Sequence, residues 1–349
     1  MDMKRNYYED VQLFRSGVVV FWFVLFMAAL AVFPLVAKNY YVYVVNYICI
    51  NIIVVLGLNI LVGYTGQISL GHAGFFAIGA YGTIILMTKA HLPFIIALPL
   101  GGLVAAVFGF LVGIPALRLE GPYLAIATLG FGLTVTQVIG RTDFFGGRQG
   151  LHAPPLTIGP WHLNTDKEFY YLLITLTVLL TLAARNLIKT KVGRAFIAIR
   201  DADIAAETMG VNLVFYKTLA FAVSAFYAGV GGGLYAFVLR FIEPEVFNLF
   251  MSVMFLAMVV VGGLGSIMGS IAGATLLAWL DLQLRNIVAI PYLGEWLETF
   301  SKTYMTLTGM SNIQFIVFGL IMVLIMVFEP LGIFGMWIRT KIYWKTWPF

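Results

Sequence analysis

Only one cysteine, Cys49, occurs in the 349 residues, and it sits inside a hydrophobic run. A disulfide framework is therefore excluded. Charge is equally scarce. Asp, Glu, Lys and Arg make up 11% of the chain against 61% hydrophobic residues, with 29 phenylalanines, so there is too little polar surface to clothe a soluble domain. No G-x-x-x-x-G-K-[ST] loop is present. Each Lys-Thr pair (Lys189-Thr190, Lys217-Thr218, Lys302-Thr303, Lys345-Thr346) lacks the preceding glycine, so if ATP drives this protein another chain must bind it. No Ser-His-Asp set and no paired acids point to chemistry on a substrate. Carboxylates avoid the apolar runs, Asp281 and Glu329 falling at expected span ends. A proton- or sodium-coupled carrier usually needs an ionisable group in mid-membrane, which disfavours that class. The formal net charge of +5 does not indicate nucleic acid, because the basic residues flank apolar runs and form no continuous face.

What the chain has is long hydrophobic runs, each able to cross roughly 30 Å of hydrocarbon as a helix. Ten are expected, at roughly 17–37, 40–62, 73–88, 93–116, 121–139, 169–188, 216–239, 246–262, 265–281 and 313–335. The fold class is an all-α polytopic membrane protein, with 1–349 as a single transmembrane domain. The first run is too long for a signal-peptide core and lacks a small-x-small cleavage site, so it reads as a retained span. Positive charge orients the spans. The N-terminal tail (Lys4, Arg5, Arg15), the connection after the sixth span (Arg185, Lys189, Lys191, Arg194, Arg200, Lys217) and the C-terminal tail (Arg339, Lys341, Lys345) hold 12 of the 21 basic residues. Even numbers of spans separate them, so all three fall on one side, and the Lys/Arg rule makes that side cytoplasmic. Residues 140–168, rich in Gly and Pro, become an external loop, either a spacer or a docking surface for an external partner.

Two polar features interrupt this pattern. Between 63 and 74, "GYTGQISLGHAG" carries four glycines with Gln67, Ser69 and His72, a poor continuous helix. Non-helical backbone at membrane depth is tolerated only in protein or beside an aqueous path. Gly262, Gly263 and Gly265 break a later pair of spans, and matched interruptions point to a transport path. Gln67, Ser69, His72 and Thr128 are its candidate residues. Each also has a plainer role. His72 has no nearby Cys, Asp or second His to make a metal site and is expected to be hydrogen-bonded. Gln67, Thr128, Thr134 and Gln137 are expected to bond between helices, and Asn46, Asn51 and Asn59 to pack. Gly265, Gly269 and Gly273 follow a GxxxGxxxG spacing, a small-residue stripe expected on one helix as a static seam or a moving one.

The second feature is "AIRDADIAAETMG", 198–210. Asp201 and Asp203 suit an N-cap or first turn, Ala202, Ala205 and Ala206 favour helix, and Gly210 sits where a left-handed residue ends one. The product is a rod of about two turns, marginal alone in water, that needs a surface for Ile204, Met209 and its alanine face.

This segment resembles something specific. "GRAFIAIRDADIAAETMGVNLVFYKTLAF" (193–221) looks like the cytoplasmic coupling segment of ABC importer permeases, with Ala205-Ala206-Glu207 and Gly210 at its heart. "NILVGYTGQISLGHAGFFAIGAY" (59–81), "LRLEGPYLAIATLGFG" (117–132), "GGRQGL" (146–151), "FAVSAFYAGVGGGLYAF" (221–237), "VVVGGLGSIMGSIAGA" (259–274) and "FEPLGIFG" (328–335) resemble, in order, branched-chain amino acid permeases of the LivM type. Related permeases for urea and short amides share much of this pattern. The external loop reads "FFGGRQGL" where the family usually has a Thr-Gly-Gly run. The resemblance implies an importer half in a bacterial cytoplasmic (inner) membrane, with both termini cytoplasmic. It implies a second, LivH-like permease, two LivG/LivF-like subunits that hold the ATP and Mg, and an external binding protein delivering Leu, Ile or Val; this chain itself would hold no cofactor. In it, the 189–215 segment, through Arg200, Asp201, Asp203, Ala205, Ala206, Glu207 and Gly210, would dock on the ATPase and carry its motion into the membrane.

Overall fold

The computed structural model describes residues 17–117, 119, 121–158, 161–162, 165–285, 319–325, 327–329 and 332–346. The expected basic N-terminal tail and the start of the tenth run lie outside these residues. Nine apolar helices are described in the order the hydropathy requires: α1 Gly17–Val36, α2 Asn39–Asn59, α3 His72–Thr88, α4 Phe94–Ala116, α5 Pro122–Arg141, α6 Asp166–Lys189, α9 Leu213–Leu239, α10 Leu249–Gly262 and α11 Ile267–Arg285. Between α6 and α9 lie two amphipathic pieces, α7 Lys191–Asp201 and α8 Asp203–Thr208. A π-helical turn, Ile60–Tyr64, lengthens α2. Part of the tenth run is helical over 319–325 and 327–328.

The core is built around α2 and α9. From Ile50 to Tyr64 every residue of α2 and its π-turn is buried, and α9 packs on α2, α3 and α4. In hydrocarbon, helices are held by close packing rather than by expulsion from water, so small residues mark the contacts. Gly79 of α3 meets Gly229 of α9 backbone to backbone, and Gly232 of α9 meets Phe76 O of α3. By contrast α4 turns Leu103, Val107, Phe108 and Leu111 outward, a face suited to lipid.

The described part of the connection after α5 contributes to two short strand pairs. Strand β1 (Leu151–His152) pairs antiparallel with β4 (Phe241–Ile242), and β2 (Thr157–Ile158) with β3 (Trp161–His162). Thr165 and Glu168 then form a capping box that starts α6.

The tenth run does not continue to 335. The chain turns at Gly332 (φ +66°), which lies against Gly263 N and Val261 O, both 2.7 Å from where its Cβ would stand. A new helix, α12 Gly332–Thr346, carries the basic "tail" residues Arg339, Lys341 and Lys345, and Arg339 bridges Glu329 at 3.1 Å.

Candidate functional site

Two helices are too short to cross alone. α3 has 17 residues and α10 has 14, or roughly 25 and 21 Å of rise against about 30 Å of hydrocarbon. The chain reaches each by backbone that is not α-helical, 66–71 from one end of the bundle and 243–248, with its 3₁₀ turn Pro244–Val246, from the other. Their first turns meet: Ala73 N donates to Ser252 Oγ at 2.9 Å. This is the matched interruption expected from the glycines, but the second break lies before α10 as well as at Gly263.

The candidate path residues gather here. Gln67, Ser69, His72 and Thr128 are all buried. Thr128 Oγ1 accepts from Leu70 N (3.0 Å) and donates to Ala125 O (2.9 Å), which ties the 66–71 loop to α5. Gln67 Nε2 donates to Thr65 Oγ1 (3.1 Å), a local bond rather than one between helices. The expected hydrogen bond to His72 is not found. Both its ring nitrogens, Ser69 Oγ and Gln67 Oε1 have no partner among the described residues, and the His72 ring lies edge-on to Phe75 and Phe255.

At the end of the bundle that holds α7, the interrupted spans touch again. Gly63 sits so close to Gly265 N and to Asn59 Oδ1 that no side chain fits. Asn59 clamps the α10–α11 turn, its Oδ1 accepting from Gly265 N (2.9 Å) and its Nδ2 donating to Ser266 O (3.0 Å). Gly265 is thus not on the helical stripe with Gly269 and Gly273. It precedes α11 in a turn at φ +73°, whereas Gly269 faces Gly262 and Gly273 faces Met258 and Gly262. Into this junction reaches Arg200, whose Nη1 donates to Gly63 O at 2.9 Å.

Arg200 belongs to the last turn of α7, immediately before the rod. Asp201 ends α7 rather than capping the rod, because Ala202 is extended (φ −165°, ψ 99°) and breaks the two helices apart. Asp203 does stand in the first turn of α8, paired with Lys217 of α9 at 3.4 Å. Gly210 (φ +85°) closes it: Gly210 N donates to Glu207 O (2.9 Å) and Val211 N to Ala206 O (3.0 Å), a Schellman ending. Ala206 alone on the rod is buried. Ala205 and Glu207 are exposed, and Ile204 and Met209 are 77% and 85% exposed.

A family model described as "Branched-chain amino acid transport system / permease component" matches residues 40–328. The chain belongs to this family. The permease is 35% identical over 283 residues to the "High-affinity branched-chain amino acid transport system permease protein LivM" of Salmonella typhimurium and, equally, to that of Escherichia coli. The match covers 74% of this permease and 61% of each relative, so the chain spans about three fifths of the length of the curated relatives it matches. No solved structure matches it.

One face of the permease escaped the sequence reading. Tyr123, Ala127, Gly130, Thr134, Gln137 and Arg141 recur along α5 at alternating four- and three-residue steps, so they share a face, and all six are exposed. Thr134 Oγ1 bonds only Gly130 O of its own helix (2.8 Å). The spacing was visible in the sequence; its outward direction was not.

Proposed function

We propose that this permease is one half of the membrane pore of an ATP-driven importer of branched-chain amino acids in a bacterial cytoplasmic (inner) membrane. The observation that carries this reading is α8. Six residues long, closed at its C-terminal end by Gly210 and with Ile204 and Met209 uncovered, it has the form of an element completed by a separate protein. An ATPase subunit fits that place, and two such subunits, LivG/LivF-like, would hold the ATP and Mg. Their closure on ATP would push α8 and α7, and Arg200 would pass the movement to the Gly63–Gly265 junction, rocking the packed spans as rigid bodies.

The α5 face supports a second, LivH-like permease. An amide or guanidinium facing lipid costs several kcal/mol, so Gln137 and Arg141 favour protein or an aqueous path on that side. An external binding protein would deliver the amino acid to the end bearing β1 and β4. The two relatives' names carry the words branched-chain amino acid transport.

The test is purification from native membranes, where an ATPase and a second permease should accompany the chain, followed by uptake in liposomes. Gly210→Val, which forces a β-branched residue to φ +85°, and Glu207→Lys should leave the chain inserted and ATP hydrolysis running while leucine uptake falls. Uphill uptake by this chain alone would overturn the proposal, as would full uptake in both variants.

A further inference from the structure

The first turn of α12 is anchored and the rest of it stands clear. Gly332 and Gly335 are buried, Gly332 against the α10–α11 turn, whereas every residue from Met336 to Trp344 is exposed. Arg339 reaches back to Glu329 at 3.1 Å. Ten residues of unbroken helix would part those two by about 15 Å, so α12 turns away from the line of the tenth run.

The clear part has an ordered surface. Steps of three, four and seven residues put Met336, Trp337, Thr340, Tyr343 and Trp344 on one side. Arg339 and Lys341 flank that side, each roughly a quarter-turn from its centre, and Ile338 and Ile342 lie behind. Trp337 and Trp344 are 65% and 74% exposed. The two rings alone leave on the order of 300 Å² uncovered. A helix this short is marginal in water, and so much bare aromatic surface calls for a partner.

We propose that α12 lies along the membrane surface as an interfacial helix, its aromatic side among the headgroups and Arg339 and Lys341 on the phosphates of anionic phospholipid. The chemistry of the surface selects this partner. Trp and Tyr collect where a membrane meets water, because each has an apolar ring and one polar handle. Long basic side chains beside them bury their stems and reach the headgroups. Residues 331–349 hold Arg339, Lys341 and Lys345 and no Asp or Glu, so the segment complements an anionic surface. α8, proposed above to meet a protein, is built otherwise: alanines with Asp203 and Glu207, and no aromatic residue. At the far end of the bundle Tyr40 and Tyr41 are exposed where α2 begins, as a belt at the opposite boundary would be. The inference goes beyond the importer reading and does not depend on which solute is carried.

The experiment places the full permease, with the subunits that purify beside it, in nanodiscs of phosphatidylglycerol and phosphatidylcholine. A bimane label is attached to Thr340→Cys, in the aromatic side, or to Lys341→Cys, on the flank; Cys49 is buried and stays unlabelled. Phospholipid brominated along its chains should quench the label at 340, and aqueous acrylamide should quench the label at 341 more than the one at 340. Adding Lys341→Glu to the 340 variant should lower the inserted-to-free ratio read from lipid quenching roughly fivefold, the scale of one basic residue at an anionic surface. Acrylamide reaching both positions alike, with no quenching by brominated lipid, would overturn the proposal. So would protection at 340 that vanishes when an accompanying ATPase is stripped away, which would give the surface to a protein. Lipid quenching unchanged in pure phosphatidylcholine would overturn the choice of anionic lipid. None of these results touches the importer reading, which stands on α8.

Discussion

Arg200 shows how a single side chain changes meaning between sequence and structure. In the sequence it is one of four charges around a rod and reads as part of a docking surface. In the fold its guanidinium turns inward to the Gly63 carbonyl, beside Gly66 and Gly265, while also meeting Asp201 at 3.1 Å. That geometry supports the proposed task in transmission. Arg200→Ala should cut leucine uptake about tenfold or more, the scale of one charged hydrogen bond, while the complex stays assembled and ATP hydrolysis continues. Arg200→Lys, which keeps the charge but not the fork, should restore part of the uptake. Loss of ATPase binding in Arg200→Ala would assign the residue to the docking surface instead. Asn59 is the structural counterpart. Asn59→Ala takes away the acceptor of Gly265 N, at a cost of about 1–3 kcal/mol, while Ser266 O keeps its bonds from Ser270, so the purified complex should unfold at a visibly lower temperature with little change in substrate preference. Residues whose roles follow from local backbone were legible: Gly210 ends its helix and Asp203 opens one. Asp201, Gly265 and His72 were not, because their roles depend on where a neighbouring helix stops.

At the scale of elements, hydrophobic runs read well as helices because each must satisfy its own backbone in hydrocarbon. What the runs hide is where a helix begins. The eighth was expected from 246, but Pro244–Val246 form a separate 3₁₀ turn, and the Asn248 side chain caps α10, which starts at Leu249. That delay of a few residues sets where the first turn of α10 meets α3. Direction is the second thing a run hides. α4 and α5 are both apolar by composition, yet α4 exposes Leu103, Val107, Phe108 and Leu111, and α5 exposes a strip of Gly130, Thr134 and Gln137 flanked by Ile126, Leu133 and Val138. The two faces should meet different surroundings. Thr134→Cys should react with a water-soluble maleimide in intact membranes, or cross-link to the proposed second permease, whereas Phe108→Cys should react only with lipid-soluble reagents. Equal behaviour at the two positions would remove the α5 face from the permease pair.

The whole molecule has two unlike ends, and the structure assigns segments to them without any reference to a bilayer. One end gathers Arg200 of α7, the Gly63 turn, Gly265 before α11 and Gly332 at the start of α12, linked in series through Gly63 O, Gly265 N and Gly263 N. The other gathers the Phe144 carbonyl that accepts from Lys89 Nζ at 3.0 Å, the β1–β4 pair, and Arg240 near Asp166. The first end carries Lys189, Lys191, Arg194, Lys217, Arg339, Lys341 and Lys345 on or beside its helices. Packing and the charge pattern therefore bring α7 and α12 to one side by independent routes, although α12 itself was expected as a tail. The excess of Lys and Arg supports the proposal that this side faces the cytoplasm. In intact cells, a cysteine placed at Lys191 or Lys345 should be shielded from an impermeant thiol reagent until the membrane is opened, and one placed at Arg148 should react at once. The reverse pattern would put α8 outside, where no ATP-binding subunit can reach it, and the coupling role would fail with the orientation.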